Sequence, residues 1–205
     1  MRKTALILNS KQRILKIASE LFSESGFLGV SMADIAKSLN ITKAALYYHF
    51  TNKKELYLEV LEKSFRNLIK SISKRNIREM SPERRLSKMI QNYLRFGLKE
   101  KNLIKSLIVI SPKGDPEIAK YVAKLRKNLL HQFQLFLKEI LKKKNLAQKI
   151  DPKFITSFLL GTMDGLILEA TSFKKKLNLK KRVAQIMQIV SLILKVEEFN
   201  ILKKR

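Results

Sequence analysis

Cysteine is absent from the 205-residue chain. That excludes a disulfide framework, thiolate metal sites and a cysteine nucleophile, and it fits a reducing cytoplasm. Histidine is nearly absent too, with His49 and His131 alone. No metal-ligand cluster and no phosphate-cradling glycine loop is present, so nothing assembles a catalytic constellation, and neither an enzyme nor a cofactor is expected. Glycine and proline number only six and four. No run alternates apolar and polar residues as a half-buried strand would, and long segments repeat apolar residues at helical spacing, which predicts an all-α fold. The N-terminal apolar stretch is too short for a signal peptide. The longest apolar run, Phe154 to Leu168, is about one turn short of a membrane span and holds Asp164, so it reads as a buried helix. The expected setting is the cytoplasm, with no membrane partner.

Acidic residues are scarce as well, 17 against 43 Lys and Arg, for a net charge of +26. Such a surface attracts polyanions, DNA above all. Residues 1–54 hold nine Lys/Arg and three Asp/Glu, a balance of +6, which leaves +20 for residues 55–205. Most of the charge therefore lies outside the N-terminal quarter, and lysines spread over solvated helix faces explain it as well as a binding surface does.

Ile14, Ile17, Ala18, Leu21 and Phe22 form one helical stripe, and Gly26 suits a left-handed C-terminal cap. Ser31 caps a short helix to Leu39, Asn40-Ile41 makes a tight turn, and Thr42 caps a third helix reaching about His49. A fourth is expected from about Lys53 to Lys74. Ser81-Pro82-Glu83 starts another, a loop at 111–116 precedes a helix over about 117–144, Asp151-Pro152 opens the next, and a last helix covers about 180–197. About nine helices result.

The strongest local pattern is SMADIAKSLNITKAALYYHF at 31–50. Ile35, Leu39, Ile41 and Leu46 are apolar where two short helices crossing steeply would face each other, and Ala36 is small at the closest approach. Asn40 tolerates the left-handed backbone of a three-residue turn. Spacing of this kind alone also fits ordinary pairs of short helices.

The flanking residues make it specific. From Arg13-Ile14-Leu15 through Ala18, Leu21-Phe22, Gly26-Phe27, Ser31, Ile35-Ala36, Ile41-Thr42, Leu46-Tyr47-Tyr48-His49-Phe50 and Lys53-Lys54-Glu55-Leu56, some 45 residues without a gap resemble the N-terminal domain of the tetracycline-repressor (TetR/AcrR) family. That resemblance implies a helix-turn-helix DNA-binding domain at 1–54 and a ligand-binding and dimerisation domain at 55–205. It implies a cytoplasmic homodimer that acts as a ligand-released, sequence-specific transcriptional repressor on a palindromic operator. The alternative is a basic protein that coats DNA without regard to sequence.

The resemblance also implies roles. Lys43 and Ala44, at the exposed start of the recognition helix, would read bases: Lys43 donates to guanine O6 or N7, and the Ala44 methyl meets a thymine methyl. Tyr47, Tyr48 and His49 suit phosphate oxygens beside the groove. Ser31 and Thr42 stand at helix N-termini, which favour phosphate, and Lys53 continues the phosphate track. Ser31 and Thr42 are N-caps in either case, and Tyr48 and His49 also suit packing against the fourth helix.

Beyond Leu56 the resemblance is one of helix count and order, with a local echo at 160–167 of the family's eighth helix. It implies a four-helix dimer interface formed by Gly161 and Gly165, four apart and small enough for close approach, with Ile186, Val190 and Leu194. Two glycines inside a helix cost about 1 kcal/mol each relative to alanine, which a tight interface offsets. The inducer pocket is expected to be largely apolar, drawn from Phe65, Tyr93, Phe96, Leu107, Phe133 and Phe136, with His131 and Asp164 as polar members. The +20 balance favours an anionic amphiphile, such as a fatty acyl thioester, over a cationic drug.

Overall fold

The computed structural model describes residues 2–73, 80–100, 104, 115–143, 145–146, 149–173 and 176–193, and the side chains of these from residue 10 onward, Ser73 excepted. Eight helices and no strand occur among them: α1 Arg2–Ser25, α2 Met32–Leu39, α3 Lys43–His49, α4 Lys53–Ser73, α5 Pro82–Lys99, α6 Pro116–Lys143, α7 Pro152–Ser172 and α8 Leu179–Ile193. The fold is all-α. The expected bounds agree to within a residue or two, except that residues 194–197 lie outside the described residues.

Local chemistry sets most of these ends. Gly26 adopts φ +73° and its N–H donates to Phe22 O at 2.9 Å, closing α1. Asx or Ser side chains open the later helices, where free backbone N–H groups need an acceptor. Asp115 Oδ1 accepts from Glu117 N at 2.9 Å, Asp151 Oδ1 from Lys153 N at 2.8 Å and Asn178 Oδ1 from Lys181 N at 3.0 Å. Ser81 Oγ takes Arg84 N, and proline follows at the first helical position.

Contacts between four pairs of helices orient the body. Tyr93 of α5 meets Asp164 of α7, and Gly97 of α5 lies against Ile167 of α7, so these helices run parallel. On the other flank Arg85 pairs with Glu139 and Tyr93 with Arg126, so α5 and α6 run antiparallel. The C-terminal end of α5 meets α1: Ser23 Oγ donates to Lys99 O at 3.0 Å, and Ser19 Oγ to Glu100 Oε2 at 3.4 Å. The N-terminal end of α6 meets α4, where Lys54 Nζ lies 2.5 Å from Glu117 and 3.4 Å from Asp115. The end of α5, the start of α6 and the end of α7 therefore all face α1–α3. α8 starts at that same end and packs back along α5.

The expected domain boundary at 54/55 falls inside the first turn of α4, a helix that packs on α1, α5 and α6 alike. α7 is long and apolar enough to cross a membrane by length and composition. It buries Ile155, Leu159, Leu160, Met163 and Ile167 in the core, while Phe154 and Phe158 are exposed on another side. The run read as a buried helix is thus buried on one face only.

Gly97 tests the parallel packing. A Cβ added there would overlap Ile167 Cδ1 and lie 2.9 Å from its Cγ1. Overpacking of this kind costs about 1–3 kcal/mol, against a helix-propensity gain for alanine near 1 kcal/mol. Gly97→Ala is expected to destabilise the chain in urea unfolding, and adding Ile167→Val, which removes the overlapping methyl, to recover most of the loss. Additive effects of the two changes would refute the contact.

Candidate nucleic-acid interface

α2 and α3 form the helix-turn-helix. A reciprocal capping box opens α2: Ser31 Oγ accepts from Asp34 N at 3.1 Å, and Asp34 Oδ2 accepts from Ser31 N at 2.8 Å and from Ser31 Oγ at 2.6 Å. These bonds from Ser31 hold the Asp34 carboxyl below its ordinary range. Asn40 takes the left-handed conformation, φ 54° and ψ 46°, and Ile41 N donates to Ala36 O at 3.0 Å. Those bonds close α2 and re-aim the chain within two residues. Thr42 Oγ1 then accepts from Ala45 N at 3.1 Å and opens α3.

α3 buries only Leu46; Thr42, Lys43, Ala44, Ala45, Tyr47 and Tyr48 are exposed. A helix with one buried residue in seven is anchored by that residue and by its caps, and its remaining surface is free to enter a groove. Tyr48, at 74% exposure, does not pack on α4; it meets the half-buried His49 edge-on, ring centroids 5.2 Å apart. Thr42 uses a lone pair on the cap, which leaves its O–H to donate. The Ser31 O–H is engaged by Asp34, so a phosphate there would meet the N–H groups of α2 instead. Ala45, exposed beside Ala44, is a surface position that the sequence reading passed over.

Lys53 departs from its expected place on the phosphate track. Its ammonium donates to Phe27 O at 2.8 Å and stands 4.3 Å from the centre of the Phe27 ring. Phe27 packs on Tyr57, and Tyr57 on Phe22, with centroids 4.9 Å apart in each case. Lys53 thereby ties the α1–α2 turn to α4. Thr51, Asn52 and Glu55 complete the corner: Glu55 Oε2 accepts from Thr51 N at 2.7 Å, and Asn52 Oδ1 accepts from Glu55 N at 2.8 Å.

In the body, the residues expected around an inducer are divided. Phe65, Tyr93, Phe133 and Phe136 are buried core, Phe96 is partly buried, and His131 lies exposed on α6. Leu107 is outside the described residues. Tyr93 and Asp164 do meet, through a partner the sequence reading missed. Tyr93 O–H donates to Asp164 Oδ1, Arg126 Nη2 donates to Asp164 Oδ2, and Arg126 Nη1 donates to Tyr93 Oη at 3.1 Å. Burial, reinforced by the Asp164 charge, pushes the Tyr93 hydroxyl far above its usual range. Burial opposes the Arg126 charge, but Tyr93 and Asp164 outweigh it and raise its pKa. The available signal was Arg126 itself, the one arginine among six lysines on α6; a planar fork suits a bidentate buried site as lysine does not.

The expected dimer residues are divided too. Gly161 and Gly165 face outward, with open space where a Cβ would stand. Ile186 and Val190 are buried within the chain, at 4% and 2% exposure, and so are not free for a partner. α8 packs that stripe on α5 and leaves Ile189 and Leu192 exposed instead. Leu194 lies outside the described residues.

Residues 14–60 match the family model for bacterial regulatory proteins of the tetR family. The biofilm operon icaADBC HTH-type negative transcriptional regulator IcaR of Staphylococcus epidermidis is 48% identical over 59 residues, which are 29% of this chain and 32% of that relative. The chain thus matches about a third of that curated relative's length. Two solved structures share the fold along nearly the whole chain. The fatty acid degradation regulator FadR from Bacillus halodurans has a TM-score of 0.74 at 18% identity, over 91% of this chain and 99% of its own. The regulator FadR from Bacillus subtilis, in complex with stearoyl-CoA, has a TM-score of 0.74 at 17% identity, over 87% of this chain and 96% of its own. Residues 14–60 thus carry the helix-turn-helix segment that the tetR family model describes, on a body that shares its fold with the two FadR regulators.

Proposed function

We propose that this chain is a dimeric, sequence-specific repressor of transcription that a small ligand releases from DNA. The observation that carries the reading is α3: seven residues, one buried, capped at both ends and aimed away from the core. Lys43 and Ala44 read base edges, Thr42, Tyr47 and Tyr48 hold phosphates on the flanks, and His49 and Ser31 support them. Two such readers about 34–36 Å apart enter successive major grooves of a palindromic site.

The twofold partner covers the outward face of α7 and α8. Phe154, Phe158, Gly161 and Gly165 recur at helical spacing on α7, and all four are exposed, as are Ile189 and Leu192 on α8. An apolar stripe with small residues at its centre suits a self-complementary four-helix contact. Release is a population shift: a ligand that prefers another spacing of the readers weakens DNA binding by its difference in affinity. The effector is an apolar chain with an anionic head, a class to which the ligand of the B. subtilis neighbour belongs.

Four measurements test this reading. Lys43→Ala is expected to lower the preference for the chain's selected duplex over random DNA, by about 1–3 kcal/mol for one lost base contact. Lys53→Ala, which frees Phe27, is expected to lower the melting temperature while leaving the salt slope of binding unchanged. Equal loss on selected and random DNA for Lys43→Ala would favour the sequence-independent coater instead. Phe158→Glu, at a site already 38% exposed, should leave the fold intact yet give a monomer in sedimentation and abolish tight duplex binding. A long-chain acyl thioester at micromolar concentration should displace the chain from its duplex; displacement by the free head group alone would rule out the apolar pocket.

A further inference from the structure

The +20 carried outside the reader is not placed at random. α7 continues five residues beyond Ile167, whose side chain lies against Gly97, whereas α5 ends two residues after Gly97. At about 1.5 Å per residue, the last turn of α7 projects past α5 on the side where α1 docks. The turn into α8 therefore faces the reader end of the molecule. Residues 169–182 carry six Lys/Arg and one Glu.

Among the described residues of this corner, Lys176, Lys180 and Lys181 are exposed and Arg182 is half-buried. No ion pair with a described residue reaches any of the four. Arg182 Nη1 donates to Gln185 Oε1 at 3.1 Å, which holds the guanidinium along the wall of a cleft of about 280 Å³ that Lys176, Asn178 and Lys181 also line. Asn178 takes the Lys181 N–H at the start of α8, and the exposed ammonium groups carry the attraction. Cations in large excess over the single acid of the corner, Glu169, which lines the same cleft, match an extended polyanion lying beneath the side of the body that faces the reader.

We propose that the α7–α8 corner is a second DNA contact: Lys176, Lys180 and Lys181 hold the phosphate backbone of the same duplex that α3 reads. Such contacts carry no sequence information and fix register and affinity. In a dimer joined through α7 and α8 the two corners lie beside the twofold axis, between the readers, over the central base pairs. The inference rests on the regulator reading above.

The far end of the body supplies the control. Lys138, Lys142 and Lys153 are just as exposed, but stand at the end of α6 and the start of α7, away from the reader. The full chain is used to select a duplex from a random pool, and its affinity for that duplex is measured from 50 to 300 mM salt, conditions chosen on the order of those where phosphate contacts dominate. K176Q/K180Q/K181Q is expected to flatten the salt slope by about two to three units per chain and to weaken binding about tenfold or more at physiological salt, at about 0.9 unit per phosphate. Its preference for the selected over a scrambled duplex stays unchanged. K138Q/K142Q/K153Q, which removes the same charge, keeps the slope within about half a unit. Equal flattening by both variants would reduce the effect to net charge and overturn the corner, as would an unchanged slope in the first. Failure to select any duplex overturns the regulator reading and this contact together, whereas loss of the difference between the variants overturns this contact alone.

Discussion

One carboxylate organises the body of this protein. Asp164 takes one hydrogen bond from Tyr93 of α5 and one from Arg126 of α6, and Arg126 closes the triangle on Tyr93. Three helices are joined at a point from which water is largely excluded. A buried charge left without its partner costs about 3–5 kcal/mol, so slipping α7 by one turn is far costlier than any single apolar contact could make it. Apolar stripes slide with little change in area; a fork on a carboxylate does not. The parallel run of α5 and α7, the placing of Ile167 against Gly97 and the side of the body that meets α1 all follow from that register.

A second set of contacts fastens the reader to this body through neighbouring residues. Lys53 holds the α1–α2 turn by its carbonyl and its ring, and Lys54 holds the start of α6 by two carboxylates. The hydrogen bond to Glu117 and the charge of Asp115 raise the Lys54 pKa. Exposed pairs of this kind are weak and exchange readily. On the opposite flank Glu100, whose pKa burial raises, accepts from Ser19 beside the Ser23–Lys99 bond. α1 and α4 thus both carry polar attachments to the body.

The reader was legible in the sequence because its determinants are local. Capping, the left-handed Asn40 and the buried Leu46 are decided within a few residues, and the flanks from Arg13 to Leu56 that make the pattern specific are contiguous with it. The body depended on encounters between distant residues. Arg126 sits in a run of lysines and reads as solvated until α7 brings Asp164 to it, 38 residues on. Ile186 and Val190 made an apolar stripe, but periodicity tells only that a face is buried, not whether its partner is the same chain; α5 covers it. Lys53, a cation read for phosphate, turns its ammonium to the Phe27 carbonyl and ring, which lie 26 residues upstream. The outward glycines of α7 were found by spacing, and open space stands where their Cβ atoms would be.

The join at Lys53 and Lys54 bears on how such proteins diversify. Exchanging readers between bodies is a convenient route to new regulators, and a cut placed between helices α3 and α4 looks clean on paper. Here that cut would part Lys53 from Phe27 in the α1–α2 turn, while its neighbour Lys54 would stay with Asp115 and Glu117. A transplanted reader would arrive with its own grip intact only if the first turn of α4 travelled with it, and would be fastened to its host only if the host presented acids at the matching helix start. Heritable modularity in this chain is therefore set at the first turn of α4, one turn later than the boundary that the motif alone suggests.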